Sequence, residues 1–121
     1  MVIRIKGGTI DQIEDTETKH LKVLKISSQT EKVMFTLELP EALCNVFKSH
    51  DDVDVKIDSK PILKGEKAKL YVEGTIFRII DNDKMEVTGT LGGLRLTIAI
   101  GNPTPAKRKT FESDRLFLMI T

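Results

Sequence analysis

The sequence contains few side chains whose chemical type and spacing could support catalysis or metal binding. Its two histidines, His20 and His50, lie in separate polar segments, where a solvated imidazole is a simpler interpretation than a metal ligand. Asp51, Asp52 and Asp54 follow His50, and carboxylates of this kind can coordinate a divalent cation. Their spacing lacks the form of an EF-hand loop. We therefore interpret them as a solvated turn and predict no metal site.

The single cysteine, Cys44, limits the redox and zinc chemistry of the chain. One cysteine excludes an internal disulfide and cysteine-rich zinc sites, and it favours a reducing compartment. Cys44 has no basic neighbour in sequence that would lower its thiol pKa, so a buried apolar role is favoured over a nucleophilic one. The sequence has no nucleophile elbow, and its glycine-rich stretches lack the strand-to-helix context of a phosphate loop. We therefore expect no catalytic residues and no cofactor.

Length and composition restrict the class of protein further. The chain has 121 residues and a formal net charge of +1, so it has no general attraction to nucleic acids or membranes. No apolar run approaches the roughly 20 residues of a membrane span, and the N-terminus has no apolar signal core. These features predict one domain over residues 1–121 and a cytoplasmic location.

The apolar residues alternate with polar ones along most of the chain, which is typical of β-strands. The pattern predicts strands at 2–5, 8–15, 21–27, 33–39, 53–57, 70–80, 85–91, 94–100 and 115–120, one short helix at 40–49, and loops at 58–69 and 101–109. Short antiparallel strands close into small barrels because closure removes exposed edges. We therefore predict an all-β fold, an antiparallel barrel of six to eight strands of the oligonucleotide/oligosaccharide-binding type.

Gly92 and Gly93 interrupt a long strand-like segment. The apolar residues lie at odd positions before the glycines and at even positions after them, so a continuous strand would place them on opposite faces. A two-residue hairpin turn would pair Leu91 with Leu94 and bring every apolar residue to one face. Glycines supply the positive φ angles of such turns, so we predict a hairpin rather than a bulge.

Two stretches of the sequence are similar to each other. Residues 8–15 (GTIDQIED) and 74–81 (GTIFRIID) share five of eight residues in register. Two similar half-barrels would explain this similarity. A chance likeness between two strands that begin after a glycine would explain it equally well, and both interpretations remain open.

Two features could bind a partner. Lys107, Arg108 and Lys109 follow Pro103 and Pro105 in a predicted loop, where they could contact phosphate or simply face solvent.

The second feature is the strand 71–80, which is apolar on both faces. Tyr71, Phe77 and Ile79 form the predicted outer set, and Arg78 lies on the opposite face. Since the outer face of a small barrel is normally wet, this set favours a protein partner surface.

The C-terminal half also resembles a known family. The residues that carry this resemblance are Tyr71, Val72, Gly74, Ile76, Phe77, Arg78, Ile79, Leu91, Gly92, Gly93, Leu94, Leu96, Gly101, Phe111 and the run 114–119. In this order and spacing, residues 70–119 resemble subunit 8 of the multisubunit RNA polymerases. This is the small subunit common to the eukaryotic nuclear enzymes, and the polymerases of some archaea contain a shorter relative of it.

Three departures from the family pattern point to the shorter archaeal form. Eukaryotic members carry a long acidic loop where this chain has 58–69, which is basic on balance. Leu91 stands where the family has an aromatic residue, and the family's basic tail is missing after Thr121. These departures put in doubt any function tied to the acidic loop.

The resemblance implies a non-catalytic subunit of a DNA-dependent RNA polymerase. It implies that the chain binds the largest polymerase subunit and supports its assembly and stability, with nucleic acid contacted only weakly or indirectly. By matching position, the candidate interface residues are Tyr71, Phe77, Arg78, Gly92, Gly93, Leu94 and Arg115. The glycines would form the turn and would also let a partner backbone approach closely.

The alternative function is a stand-alone barrel that binds single-stranded nucleic acid. Such proteins need exposed aromatic side chains and a positive groove. One tyrosine, five phenylalanines and a net charge of +1 argue against this alternative. An auxiliary phosphate contact through Lys107, Arg108 and Lys109 stays compatible with the polymerase interpretation.

Overall fold

A computed structural model describes residues 2–62 and 68–121, apart from the side chains of Val2 and Ala106. The strands are β1 (Val2–Asp15), β2 (Leu21–Ser28), β3 (Val33–Pro40), β4 (Asp52–Asp58), β5 (Leu70–Asp81), β6 (Met85–Leu91), β7 (Leu94–Ile100) and β8 (Arg115–Ile120). The helices are α1 (Glu41–Cys44) and α2 (Pro105–Thr110).

The eight strands form one closed antiparallel barrel in the order β1-β2-β3-β7-β6-β5-β8-β4, and β4 pairs back to β1. Alternate residues of each strand point inward and fill the barrel with apolar side chains. The largest fully buried ones include Phe35, Ile5, Ile10, Leu24, Ile26, Leu37, Ile57, Leu96, Ile98 and Leu116. The prediction of an all-β barrel of six to eight strands is confirmed, with eight strands.

The hairpin predicted at Gly92 and Gly93 is confirmed. Leu91 pairs with Leu94, and β6 and β7 stay in register down to the pair of Met85 and Ile100. The two glycines have φ angles of +62° and +89°, so both need the left-handed conformation that glycine adopts without strain.

The first strand differs from the prediction because Gly7 and Gly8 do not end it. β1 runs without a break to Asp15, and its register against β4 shifts between Ile5 and Gly8. Gly7 has a φ of +71°, and its N–H donates to Oδ1 of Asp54 at 2.9 Å. A β-bulge absorbs the extra residue, so the strand bends instead of stopping.

The helix predicted at 40–49 is shorter than expected. α1 ends at Cys44, and the apolar Leu43 and Val46 are exposed. The His50 N–H donates to the Ile10 carbonyl at 2.7 Å, which returns the chain to β1. Before that point, the Phe47 N–H donates to the Cys44 carbonyl three residues earlier, so the chain forms a tight turn after Cys44 instead of continuing the helix.

The segment predicted as the loop 101–109 contains α2. Thr104 is its N-cap, since the Thr104 hydroxyl accepts a hydrogen bond from the Lys107 N–H at 3.2 Å, and Pro105 begins the helix. Both are favourable helix-starting residues. The two prolines therefore precede or open a helix instead of stiffening a loop.

The barrel is built from two halves with the same order of elements. Each half contains a long strand, a hairpin, a short helix and a final strand: β1-β2-β3-α1-β4 and β5-β6-β7-α2-β8. Exchanging the two halves leaves the order of strands around the barrel unchanged. The barrel therefore has an approximate two-fold axis.

Both long strands bulge and bond at equivalent residues. The bulge in β1 follows Ile10, and the bulge in β5 follows Ile76. The Ile10 N–H donates to the Asp51 carbonyl at 2.9 Å, and the Ile76 N–H donates to the Asp114 carbonyl at 2.7 Å. Residues 8–15 and 74–81 thus occupy equivalent places in two half-barrels, which agrees with the first interpretation of their similarity.

The seams between the halves follow the same symmetry. Counted along the hairpins from the bulges, Thr36 and Thr97 are equivalent, and they pair with each other where β3 meets β7. Lys56 and Met119 are also equivalent, and they pair where β4 meets β8. A two-fold axis requires this direct pairing of equivalent residues.

Candidate protein-interaction surface

The outer face of β5 exposes apolar side chains. Phe77 is 61% exposed, and Tyr71 and Ile80 on the same face are also exposed. The bulge after Ile76 changes the predicted faces beyond it. Ile79 lies opposite the buried Val87, and residues opposite each other share a face, so Ile79 belongs to the inward-facing set and not to the predicted outer set, although its side chain is partly exposed.

The same bulge corrects the prediction for Arg78. Arg78 pairs with Thr88, and Thr88 is on the outer side of β6 because its neighbour Val87 points inward. Arg78 therefore lies on the outer face, instead of opposite Phe77 as a regular strand would have it. Phe77 is the extra residue of the bulge, which leaves its ring without a cross-strand partner.

Tyr71 shapes the surface through contacts within the chain. Its hydroxyl accepts a hydrogen bond from the Ile62 N–H at 2.8 Å, which ties the segment after β4 to β5. Its ring centroid lies 6.4 Å from that of Phe117, with a tilted geometry. Only part of the Tyr71 ring is left for a partner.

Arg115 is also held by its own chain. Its guanidinium bonds the Glu73 carboxylate, with Nε at 3.1 Å from Oε1, and its Cζ lies 5.3 Å from the Phe117 ring centroid. Such cation–π contacts are moderately stabilising at exposed sites. Arg115 covers Phe117, so a partner would meet a charged and already oriented side chain.

The hairpin at Gly92 and Gly93 projects beyond the barrel wall. A Cβ atom added to either glycine would have no atom within 4 Å, so the space beside both is open. Leu94, directly after them, is half-buried. The row of paired residues from Thr90 through Thr75 to Arg115 connects this hairpin to β8. The hairpin and Arg115 therefore lie in one region of the barrel, with Phe77 one bulge further along β5.

The basic segment is largely neutralised within the chain. Arg108 Nε lies 2.9 Å from Oδ2 of Asp81, and Lys107 Nζ lies 3.6 Å from Oε2 of Glu31. Among the described residues, only Lys109 of the three cations lacks an ion pair. These pairs join residues far apart in sequence, so no local pattern predicted them, and they weaken the case for phosphate binding.

Two of the three aspartates near His50 accept hydrogen bonds from backbone N–H groups, one within the turn and one from β1. Asp51 Oδ2 accepts the Lys48 N–H at 3.2 Å, and Asp54 Oδ1 accepts the Gly7 N–H. Within residues 2–62 and 68–121, no group of three or more histidine, cysteine, aspartate or glutamate side chains could hold a metal ion. Asp51 therefore belongs to a hydrogen-bonded turn, while Asp52 and Asp54 belong to β4.

His20 and Cys44 each have a structural environment. His20 Nδ1 lies 3.0 Å from Oε2 of Glu41, and this hydrogen bond, with the charge of Lys22, lowers the pKa of the Glu41 carboxyl. Cys44 is buried, and burial raises the pKa of its thiol. A raised thiol pKa disfavours the thiolate that a nucleophile needs.

A second surface was not predicted from the sequence. The outer trough is a depression of about 810 Å³ between the β2–β3 turn and the β5–β6 turn. Its floor is a row of direct cross-strand neighbours on β2, β3, β7, β6 and β5: Ser27, Met34, Ala99, Glu86 and Ile80. The sequence indicates that these residues are outward-facing positions of separate strands. Only the strand order shows that they lie side by side.

Comparison with known proteins identifies no family for this chain. No family model matches the sequence, and no curated protein matches it significantly. Within the part of the chain that the structure describes, no helix combines the length and apolar character needed to cross a membrane.

Proposed function

We propose that this chain is a non-catalytic subunit of a DNA-dependent RNA polymerase that binds the largest subunit and supports its assembly. The observation that carries the binding role is the exposed Phe77 on the bulge of β5, beside Arg78 and on the same barrel as the open hairpin at Gly92 and Gly93. The identity of the partner rests on the resemblance of residues 70–119 to subunit 8. The proposed location is the cytoplasm.

Apart from the hairpin residues, the candidate interface residues divide into two groups. Tyr71 and Arg115 have partners within the chain and would present a preformed surface. The side chains of Phe77 and Arg78 have no hydrogen bond or ion pair among the described residues, and they would contact the partner directly. Aromatic and arginine side chains of this kind commonly dominate the binding energy of protein interfaces.

The test is to express the tagged chain in its own host and to identify the proteins that co-purify with it. A variant is compared with the unmodified chain, and its new residue type already occurs at the equivalent position of the other half. Phe77→Asp is suitable because Asp11 occupies the equivalent bulge in β1. We expect the unmodified chain to recover the largest polymerase subunit in stoichiometric amount. We expect Phe77→Asp to lower that recovery at least about tenfold, since hot-spot truncations often cost about 2 kcal/mol.

Leu43→Ser is the matched control, because Leu43 is an exposed apolar residue outside this surface. It should leave recovery unchanged. Elution of the chain without polymerase subunits, together with tight and salt-sensitive binding to an oligonucleotide, would refute the proposal in favour of a single-strand binder.

A further inference from the structure

One side of β5 has no neighbouring strand over its second half, although the barrel is closed. β8 pairs with β5 over Leu70–Thr75, and one further bond on this side joins the Ile76 N–H to the Asp114 carbonyl at 2.7 Å. β5 continues to Asp81 and pairs there with β6 alone. Among the described strands, none therefore lies beside the open side of residues 77–81, which we call the β5 edge.

The bulge determines which backbone groups lie on the β5 edge. The Ile76 N–H points away from β6, and in a regular strand every second residue would do the same. The bulge inserts one extra residue, so the N–H and C=O groups of Ile79 and Asp81 point to the open side. Those of Arg78 and Ile80 point toward β6. Within the described residues, the backbone of Ile79 has no hydrogen-bond partner on the open side.

The equivalent edge of β1 carries charge instead of apolar side chains. Residues 11–15 of β1 also lie beyond the last pair with β4, and they pair with β2 alone. Asp11 is equivalent to Phe77, and Glu14 is equivalent to Ile80. Charged side chains are one means by which proteins prevent pairing at a strand edge. β1 has this protection, and β5 lacks it at both positions.

The exposure of Ile79 shows that the β5 edge is incompletely covered. Its side chain belongs to the inward-facing set, and yet it is 42% exposed, whereas the equivalent Ile13 packs against the core. An apolar strand edge with free N–H and C=O groups is a template for pairing with another strand. A helix or a small apolar ligand would leave those backbone groups unpaired.

The side chains along the β5 edge restrict the sequence of an added strand. A residue opposite Ile79 shares its inward face and is therefore expected to be apolar. A residue opposite Ile80 meets an exposed apolar side chain, which is 37% exposed. A residue opposite Arg78 meets an exposed guanidinium that has no ion pair among the described residues. In an antiparallel strand, the complementary order along the chain is apolar, apolar, acidic.

A second copy of this chain does not match that order. If two β5 edges paired antiparallel with Ile79 opposite Ile79, Arg78 of each strand would lie opposite Ile80 of the other. Neither arginine would meet an acid. The charge at Arg78 therefore favours a partner of different sequence.

We propose that the β5 edge binds an extended segment of a partner protein, which adds antiparallel to β5 and carries two consecutive apolar residues followed by an acidic one. The apolar residues lie opposite Ile80 and Ile79, and the acid lies opposite Arg78. This inference rests on the proposed binding role of the β5 surface. It adds that the partner is held through its backbone as well as through its side chains.

Hydrogen exchange measured by NMR tests the β5 edge directly. The probe is a synthetic peptide of about eight residues with valine-valine-glutamate at its centre. In the free chain, we expect the Ile79 N–H to exchange rapidly and the Ile80 N–H, which faces β6, to be protected. Saturating peptide should slow exchange at Ile79 at least about tenfold and leave the equivalent Ile13 unchanged.

Methylation of single peptide nitrogens separates backbone pairing from side-chain contact. The second valine lies opposite Ile79, and its N–H would donate to the Ile79 carbonyl. N-methylation there should weaken binding at least about tenfold, because it removes the donor and leaves that carbonyl unpaired. The first valine lies opposite Ile80 and its N–H points away from β5, so the same methylation there is the matched control and should change the affinity little.

Substitutions that copy residues of the other half test the side-chain order. The glutamate peptide should bind about two- to fivefold more tightly than a valine-valine-lysine peptide, and Arg78→Gln, which copies Gln12, should remove this preference. Ile80→Glu, which copies Glu14, should weaken the glutamate peptide about tenfold while the chain stays folded by circular dichroism. Leu43→Glu, outside the β5 edge, should change neither result.

Several outcomes would overturn the proposal. They are a protected Ile79 N–H in the free chain, no binding of the glutamate peptide, and full binding after methylation of the nitrogen opposite Ile79. Self-association of the chain that Ile80→Glu abolishes would also overturn it, because a second copy would then be the occupant.

Co-purification distinguishes the failure of this proposal from the failure of the polymerase assignment. Recovery of the largest polymerase subunit by a chain that binds no peptide would remove strand addition alone. Peptide binding at the β5 edge without recovery of polymerase subunits would remove the polymerase assignment alone.

Discussion

Phe77 and Asp11 occupy equivalent bulge positions in the two halves. One side chain is a large apolar ring and the other is a small charged carboxylate. The bulge places both outside the barrel wall, so the local backbone accepts an acid or an aromatic ring. A large exposed ring at a position that tolerates aspartate contributes little to the core. The proposed contact with a partner would account for its exposure.

Gly93 tests whether the hairpin turn also serves a partner. At a φ of +89°, Gly93→Val should lower the free energy of unfolding by about 1–3 kcal/mol, because β-branched residues are strained in this conformation. Gly93→Asn should be much closer to the unmodified chain, since asparagine adopts positive φ more readily. Urea unfolding measures both effects.

The variants Gly93→Val and Gly93→Asn also distinguish two roles of Gly93, which are to form the turn and to let a partner backbone approach closely. If a partner backbone lies against Gly93, Gly93→Asn should fold normally and yet recover less of the largest polymerase subunit. Normal folding with full recovery would end the close-approach hypothesis and leave the glycine a role in the turn alone.

Gly74 is required by packing rather than by its φ angle. A Cβ at Gly74 would lie 2.5 Å from the Thr90 carbonyl oxygen and 2.5 Å from Leu91 Cδ2. We expect Gly74→Ala to lower the free energy of unfolding by about 2 kcal/mol through overpacking, as measured by urea denaturation. The equivalent Gly8 is the control, since its Cβ would lie 3.3 Å from the nearest atom, the Val53 carbonyl oxygen. Equal losses for the two alanine variants would contradict this reasoning.

Among the elements, α1 and α2 are the short connections that cover the barrel core. A phenylalanine follows each helix and is buried, and its N–H donates to the carbonyl three residues earlier: Phe47 to Cys44 at 3.0 Å and Phe111 to Arg108 at 3.2 Å. Helices this short have little intrinsic stability, so tertiary contacts determine where they form. The buried rings and the ion pairs of α2 supply those contacts.

The hydrogen bond between His20 and Glu41, the first residue of α1, predicts that the stability of the fold depends on pH. The hydrogen bond with His20 and the charge of Lys22 lower the pKa of Glu41 in the folded chain. A carboxyl whose pKa falls on folding stabilises the fold above its unfolded pKa, and this contribution disappears as the pH drops through the lowered folded value. Glu41→Gln should therefore lower Tm slightly at pH 7, and the difference from the unmodified chain should shrink below about pH 4.5.

Glu17→Gln is the matched control for this measurement, because Glu17 is exposed and has no ion pair among the described residues. It should give a Tm difference that does not depend on pH in the same way. A Glu41→Gln difference that stays constant from pH 7 to pH 3 would contradict the assigned hydrogen bond.

Prediction from sequence succeeded for elements whose signal is local. Alternation placed the strands, and the change of parity at Gly92 and Gly93 fixed the hairpin register to the residue. It failed where a distant partner decides the outcome. The His50 N–H bonds to the distant Ile10 carbonyl where the helix was predicted to end, and bulges keep β1 continuous and turn Arg78 outward.

The candidate site was predicted only in part, for the same reason. Tyr71 and Phe77 were correctly expected on the outer face, because an alternating strand reveals which side chains point outward. The ion pairs of Lys107 and Arg108 join segments far apart in sequence, and so does the floor of the outer trough. Such features depend on strand order, which alternation does not reveal.

At the scale of the whole molecule, the approximate two-fold axis allows each outward residue to be compared with the equivalent residue of the other half. At several outward positions, one half carries a charged residue where the other half carries an apolar or aromatic one. These pairs are Arg4 and Tyr71, Asp11 and Phe77, Glu14 and Ile80, Lys56 and Met119, and Arg95 and Met34. One backbone design thus carries both a solvated surface and an apolar one, which supports binding as the role of the apolar surface.

The seams between the halves have a consequence for association of the chain with itself. β3 and β4 of the first half meet β7 and β8 of the second, and Thr36 and Thr97 pair at the first seam as equivalent residues. Each half therefore presents edges whose register matches those of the other half. Two chains that opened at these seams could exchange halves and rebuild two complete barrels with the same hydrogen bonds. Domain exchange would then replace intrachain seams with identical interchain ones, and its equilibrium would depend chiefly on chain concentration and on the connection between β4 and β5.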